Sequence, residues 1–300
     1  MNIDKHISQH NNCLELIDPS GNSKAKIYLN DGGSLQNLIL NNCTVIKSLH
    51  PKPYNESYAS AILFPFANRI KDGVYSFNNT THQLHCNDIV NNNAIHGFIA
   101  LKPFKFLDST LTKHAVSVSL VYNETEREQG FPFLYSIVLK YTLTQDSLSL
   151  KVTIVNNDNE PFPYTIGWHP YFNSSNLYKS TLIFDSSERF VFNDRMLTDK
   201  VIEHKESMPF SLSNKTLDDC FTLNTNTVLF NTPDFELALQ STSKNKYFQI
   251  YTPPIANTIA LEPCTGGSDS FNNGIGLQIL QPKQQSDGIW SLTLHKNNTN

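Results

Sequence analysis

The 300-residue chain carries 27 acidic and 23 basic side chains, a net charge of -4 that gives no general attraction to a phosphate backbone and argues against nucleic acid as a partner. Hydrophobic residues make up 39% and charged residues 17%, enough for a sizeable core, yet no run approaches the ~18 apolar residues needed to span a bilayer. The five cysteines, Cys13, Cys43, Cys86, Cys220 and Cys264, form no CxxC pair and no zinc-type spacing with histidine, so they read as reduced structural thiols and no metal is expected.

The opening Met1-Asn2-Ile3-Asp4-Lys5-His6 lacks the apolar core of a secretory signal, and a cytoplasmic protein is expected. Residues 1–11 and 297–300 are expected to fray. The first chemically notable segment is Phe64-Pro65-Phe66-Ala67-Asn68-Arg69-Ile70, which sets one of only four arginines among apolar neighbours. Its fork of donors suits hydroxyls or a carboxylate. Arg69 is therefore either a ligand-binding residue or an arginine tied to a core carboxylate. The run Asn91-Asn92-Asn93-Ala94-Ile95-His96-Gly97-Phe98 follows; His96, beside a glycine, is either a rim residue or a hydrogen-bonded structural histidine. The asparagines here, and at Asn78-Asn79, read as compositional bias.

Period-two alternation then dominates. Val116, Val118, Leu120 and Tyr122 alternate with Ala115, Ser117 and Ser119, and Tyr135, Ile137, Leu139, Tyr141 and Leu143 alternate with Ser136, Lys140 and Thr142. Thr144-Gln145-Asp146 is a hairpin loop leading to Leu148, Leu150, Val152 and Ile154. After a further strand-like run comes Gly167-Trp168-His169-Pro170-Tyr171-Phe172-Asn173, in which His169 has a rigid aromatic and proline setting. Alternation returns at Phe235, Leu237 and Leu239, at Phe248 and Ile250, and at Trp290, Leu292 and Leu294. Glu262 ends the apolar stretch Ile259-Ala260-Leu261. It is either a strand-end carboxylate facing water or a partly buried one with its pKa raised toward a useful range. With no long helical stripe and no linker, the expectation is an all-β chain, residues 1–300 forming one domain of antiparallel sheets packed face to face. An arginine, a histidine pair and a glutamate are the parts of proton chemistry on a neutral oxygen-rich substrate.

From Phe64 to Pro282 the motifs resemble the aldose 1-epimerase family, the galactose mutarotases. The likeness rests on Asn68-Arg69-Ile70 with Asp72-Gly73-Val74-Tyr75, on Asn93-Ala94-Ile95-His96-Gly97-Phe98, and on Gly167-Trp168-His169-Pro170-Tyr171-Phe172-Asn173. It continues through Leu217-Asp218-Asp219-Cys220-Phe221, Gln249-Ile250-Tyr251-Thr252, and Leu261-Glu262-Pro263 with Asp269-Ser270-Phe271-Asn272. The resemblance implies a β-supersandwich of large antiparallel sheets and cofactor-free interconversion of the α and β anomers of a free aldose. Glu262 would be the base at the C1 hydroxyl and His169 the acid at the ring oxygen. His96 and Arg69 would hydrogen-bond the ring oxygen and nearby hydroxyls, while Asn68, Asp218 and Gln249 fix the sugar, with Asp219 the alternative to Asp218. The expected partner is a monosaccharide, with no nucleic acid or membrane, in a monomer or homodimer. Pro253-Pro254 and Cys264 depart from the family's common wording and bear on specificity. Two alternatives stand beside this reading: a hexose-6-phosphate 1-epimerase, which needs cations for the phosphate, and a noncatalytic sugar-binding domain. Glycoside hydrolysis requires a second carboxylate, for which the sequence offers less support.

Overall fold

In a computed structural model, which describes residues 3–296, the chain is built almost wholly of strands in two large antiparallel sheets. Among the described residues one sheet has 13 strands and the other nine. The expected hairpin is present: Tyr135–Leu143 pairs with Ser147–Asn156, with Leu143 opposite Leu148 across the three-residue loop. In the first of these strands the residues at alternate positions, Tyr135, Ile137, Leu139, Tyr141 and Leu143, are at most 1% exposed, as one-sided burial of a pleated strand requires. No helix among the described residues is long and apolar enough to cross a membrane.

The inner faces of the two sheets enclose a continuous apolar core. Trp168, from the 13-stranded sheet, stacks on Trp290, from the nine-stranded sheet, with ring centroids 6.0 Å apart. Nearby, Phe64, Phe131, Tyr135 and Phe162 meet edge to face, the arrangement that ring quadrupoles favour. This aromatic packing lies directly beneath the segments that carry Asn68, His96 and His169.

The asparagine runs have a conformational purpose, which corrects their reading as compositional bias. Nine asparagines, including Asn41, Asn42, Asn78 and Asn79, have φ between +46° and +65°. Two consecutive left-handed residues give the twist that a tight hairpin needs. Asn41-Asn42 accordingly joins Ser34–Leu40 to Cys43–Ile46, and Asn78-Asn79 joins Val74–Phe77 to Thr80–Gln83. Asparagine is among the few residues with a side chain that enter this region readily.

Of the segment 1–11 that is expected to fray, residues 1 and 2 lie outside the described residues. Ile3–Lys5 forms a 3-10 turn, and Ile7–His10 is an edge strand paired with Cys13–Ile17, with Ile7 packed against the core. The His6 ring also hydrogen-bonds the Ile17 carbonyl at 3.0 Å. A short polar strand has too few apolar positions to show a period, so its pairing is set by its neighbour. Residues 297–300, the other expected frayed end, lie outside the described residues. Deleting residues 1–10 removes this pairing and bares part of the next strand. The expected cost is about 1–2 kcal/mol, a fall in Tm of roughly 2–8 °C by differential scanning calorimetry; a frayed terminus would leave Tm unchanged.

Candidate active site

Three neighbouring strands of the 13-stranded sheet, Asp218–Leu223, Tyr247–Tyr251 and Thr258–Cys264, build the floor of the site. Residues directly opposite one another in an antiparallel ladder share a face, and so do residues two apart along a strand. The register sets Cys220 opposite Gln249 and Gln249 opposite Glu262; one step along, Asp218 is opposite Tyr251 and Tyr251 opposite Ala260. Asp218, Gln249, Tyr251 and Glu262 therefore project from one face. Asp219 projects from the other and meets Arg189 at 3.6 Å, so of the two adjacent aspartates it is Asp218 that lines the cavity.

Above this floor sit the other candidates, on irregular backbone. His169 lies between Gly167–Trp168 and Tyr171–Asn173, its N–H donating to Ala61 O at 3.0 Å and its carbonyl accepting from Ser60 N–H at 2.8 Å. Asn68 and His96 have φ of +60° and +64°, and His96 N–H donates to Asn68 O at 2.9 Å. Two strained residues in direct contact at a cavity wall mark a place where the surroundings dictate geometry. Gly97 makes the arrangement possible: a Cβ there would lie 2.1 Å from Phe64 O, so only glycine lets this segment run against Phe64.

All seven residues singled out in the sequence, Asn68, Arg69, His96, His169, Asp218, Gln249 and Glu262, line one cavity of about 410 Å³. That volume falls within the range of small-molecule sites, roughly 300–1,000 Å³. His169 Nε2 is 3.3 Å from Glu262 Oε1, and both side chains are nearly inaccessible to solvent. The His169 ring stacks on Tyr171 at 4.9 Å and meets His96 edge-on at 5.3 Å. The Tyr171 hydroxyl in turn donates to Ser57 O. Arg69 lines the cavity while donating Nε–H to Asp88 at 2.7 Å and an Nη1–H to Asn68 Oδ1 at 3.2 Å. Gln249 donates to Asp218 Oδ1 at 2.6 Å, which leaves its buried Oε1 unpartnered.

Electrostatics follow from burial. Desolvation lowers His169 to about 4, and Lys52 acts in the same direction. It also lowers His96 well below the imidazole range, helped by His169 and Arg69. Glu262 rises well above the carboxylate range through desolvation and the neighbouring Asp218, with Arg69 opposing. Asp218 is open to the cavity but enclosed by protein behind, and that desolvation raises it against the pull of Arg69 and Gln249. Burial works to raise Asp88 as well, but hydrogen bonds from Arg69 and Asn91 more than offset it and hold the carboxyl low. Geometry alone would make His169 and Glu262 an ion pair. Burial penalises both charges, so the favoured form is the one with a neutral imidazole and a carboxylic acid sharing a single proton.

The sequence reading missed the segment carrying Lys52, Asn55, Glu56, Ser57 and Tyr58, which forms one wall of the cavity around the short helix Tyr54–Ser57. Nothing periodic marks it. It also assigned no role to Tyr171 and Tyr251, although both stand inside the motifs it quoted, nor to Asn87 and Asp88.

The model of the aldose 1-epimerase family matches residues 13–292. The chain belongs to this family. Among its relatives is the uncharacterized protein YihR of Escherichia coli K12, 22% identical over 267 residues, covering 83% of each chain. A galactose mutarotase-like protein from Clostridium acetobutylicum has the same fold, with a TM-score of 0.85, 18% identity and 95% of each chain covered. So has galactose 1-epimerase from Lactobacillus acidophilus, with a TM-score of 0.77, 18% identity and 97% of each chain covered. The β-supersandwich expected from the sequence is thus the fold of this aldose 1-epimerase family member.

The two buried groups destabilise the fold with opposite dependence on pH. Folding raises Glu262, so above the ordinary carboxylate range the native state must hold a proton that the unfolded chain has released, and stability falls as pH rises toward the folded pKa. Folding lowers His169, so stability falls as pH drops from ~6.5 toward about 4. Glu262→Gln keeps a donor toward Nε2 and abolishes the loss that accompanies rising pH. Its Tm is expected to exceed that of the wild type by an amount that grows as pH rises above 5, each 1 kcal/mol being worth roughly 2–4 °C. A Tm difference that does not change with pH would contradict the raised pKa.

Proposed function

We propose that this protein is an aldose mutarotase that interconverts the α and β anomers of a neutral free aldose by opening and reclosing the ring. What carries this reading is the His169–Glu262 pair, an acid and a base 3.3 Å apart at the floor of a sugar-sized cavity. The two oxygens on an anomeric carbon are closer together than that, so one C1 centre can address both groups at once. A proton shift within the pair, from Glu262 to His169 Nε2, gives the carboxylate–imidazolium form, in which Glu262 takes the proton of the C1 hydroxyl while His169 Nε2 gives one to the ring oxygen. The ring C1–O bond breaks and C1 becomes a carbonyl. After rotation about C1–C2, the carboxylic acid–imidazole form runs the reverse: His169 takes the proton of the former ring oxygen, and Glu262 returns one to the C1 oxygen as it is attacked on the other face. Each direction leaves the pair with a single proton, so no cofactor enters the balance. His96, kept neutral by burial, and Arg69 stand beside the pair to hydrogen-bond the oxygens as charge moves. Asn68, Asp218 and the free Oε1 of Gln249 read hydroxyls farther round the ring.

The cavity argues against a phosphorylated sugar. Arg69 is engaged by Asp88, and the remaining cation, Lys52, shares the cavity with Glu56 and Asp218, two further carboxyl groups that a phosphate dianion would have to approach. A noncatalytic binding domain would have no need of a buried proton-sharing pair that costs stability.

Two outcomes are expected. In exchange NMR on glucose, galactose and xylose, catalytic amounts of protein accelerate anomerisation. Glu262→Gln and His169→Ala each reduce kcat on the order of 10²–10⁴-fold with the fold retained by circular dichroism. Near wild-type rates in either variant would remove the assigned role, and binding without acceleration would favour the noncatalytic domain. The rate for wild type is expected to hold across neutral pH, with its acid limb near 4, where the pair takes on a second proton, rather than at ~6.5.

A further inference from the structure

The asparagine-rich segment 87–95 is not held in place by burial, since Ile89 and Val90 at its tip are 78% and 94% exposed. Hydrogen bonds hold it instead. At its neck the Asn87 side chain accepts the Ile95 N–H at 2.8 Å and donates to the Ile95 carbonyl at 3.0 Å, while Asp88 and Asn93 exchange backbone bonds of 3.0 and 3.2 Å. From outside comes Arg195, in the turn between Ser186–Phe192 and Thr198–Glu203. It donates Nε–H to Asn91 O at 2.9 Å, and its Nη2 lies 2.7 Å from Asp72 Oδ1, 2.9 Å from Asn92 O and 3.0 Å from Asn93 Oδ1. One side chain thus gathers three consecutive residues of the segment. The frame so made delivers Asn87 and Asp88 to the wall of the sugar-sized cavity.

There Asp88 meets Arg69, whose strand position is opposite Ile95. Asp88 Oδ2 accepts the Arg69 Nε–H at 2.7 Å, and Asn91 Nδ2 holds the same carboxylate from behind, 3.1 Å from Oδ1 and 3.0 Å from Oδ2. A guanidinium is planar, so bonds at two of its nitrogens, Nε to Asp88 and Nη1 to Asn68 Oδ1, fix its plane. Among the described residues Nη2 donates to no acceptor, which leaves its N–H groups to a ligand in the cavity that Arg69 lines. A fork already fixed in this way loses little further freedom when it takes up an oxygen. On the mutarotase reading above, we propose that Asp88 is a positioning residue, which orients Arg69 so that Nη2 meets the sugar oxygens on which charge develops. It acts on the reaction only through Arg69. Because the charge on those oxygens is largest in the transition state, losing the orientation reduces kcat more than it raises KM.

The test is a double-mutant cycle of Asp88→Ala and Arg69→Gln, followed by exchange NMR of an aldose, with circular dichroism to check each fold. Asp88→Ala is expected to lower kcat/KM on the order of 10- to 10²-fold, mainly through kcat, as a small misplacement of a binding group does. In the Arg69→Gln background the same change should cost no more than about twofold, because nothing remains to be positioned. Asp88→Asn keeps an acceptor of the same shape and should recover much of the loss; it replaces Asp88→Ala in the cycle if that variant does not fold. The Arg69 ¹⁵Nε–¹Hε resonance, assigned with Arg69→Gln, is expected to move in Asp88→Ala. Losses that multiply across the cycle would make Asp88 a part of its own turn only, and a full rate in Asp88→Ala would remove its role; either result overturns the proposal. If the wild type binds an aldose without accelerating its anomerisation, the mutarotase reading fails alone. The cycle is then read on the Kd of the aldose, where multiplying losses, or no loss, overturn the role of Asp88. An aldose that does not bind at all overturns both.

Discussion

The site depends on one buried contact, His169 Nε2 against Glu262 Oε1, held where neither group can keep its charge cheaply. Two ionisable groups removed from water and pressed together settle the conflict by sharing one proton. That compromise destabilises the fold, since an apolar pair of the same shape would incur no desolvation at all. It is also what makes the pair chemically versatile. An imidazole lowered toward about 4 gives up its proton readily, and a carboxyl raised by burial accepts one more readily than an exposed carboxylate would. The remainder of the cavity acts on this balance from both sides, Asp218 raising Glu262 and Arg69 opposing it, while Arg69 is paired with Asp88, Gln249 is turned by Asp218, and His96 is kept neutral by burial.

The two sheets supply the rigidity this requires. Glu262 stands in a strand whose seven residues are all buried, so its backbone has no room to relax away from His169. His169 is fixed from the other side by backbone hydrogen bonds to Ser60 and Ala61 and by the stacked Tyr171 ring. The Trp168–Trp290 stack ties the histidine segment to the opposite sheet. The geometry of the pair is in this way an outcome of core packing. The left-handed Asn68 and His96 place local strain at a wall that is not regular strand.

How much of this could be read from the sequence depended on whether a residue's surroundings left a local signal. Strands buried on one face, such as Tyr135–Leu143 and Ser147–Asn156, announce themselves by alternation. Thr258–Cys264 is buried on both faces and has no period, so Glu262 stood out only through its motif and its apolar neighbours. The left-handed asparagines were misread because the conformation they serve is a property of turns, with no hydrophobic pattern attached. The wall from Lys52 to Tyr58 left no signal, because its side chains reach the cavity from a single helical turn placed there by the flanking backbone. Asp218 and Asp219 illustrate the remaining gap: in sequence they are equivalent neighbours, and only strand register sends one to the cavity and the other to Arg189.

The shared proton is most directly tested by ¹⁵N NMR of the histidine rings across a pH titration, with and without a free aldose, using His169→Ala to assign the resonance. The account predicts that His169 remains neutral through the ordinary imidazole range, gains a proton only near 4, and shifts when the aldose is added at neutral pH. A His169 ring that titrates at ~6.5 and ignores the sugar would contradict it.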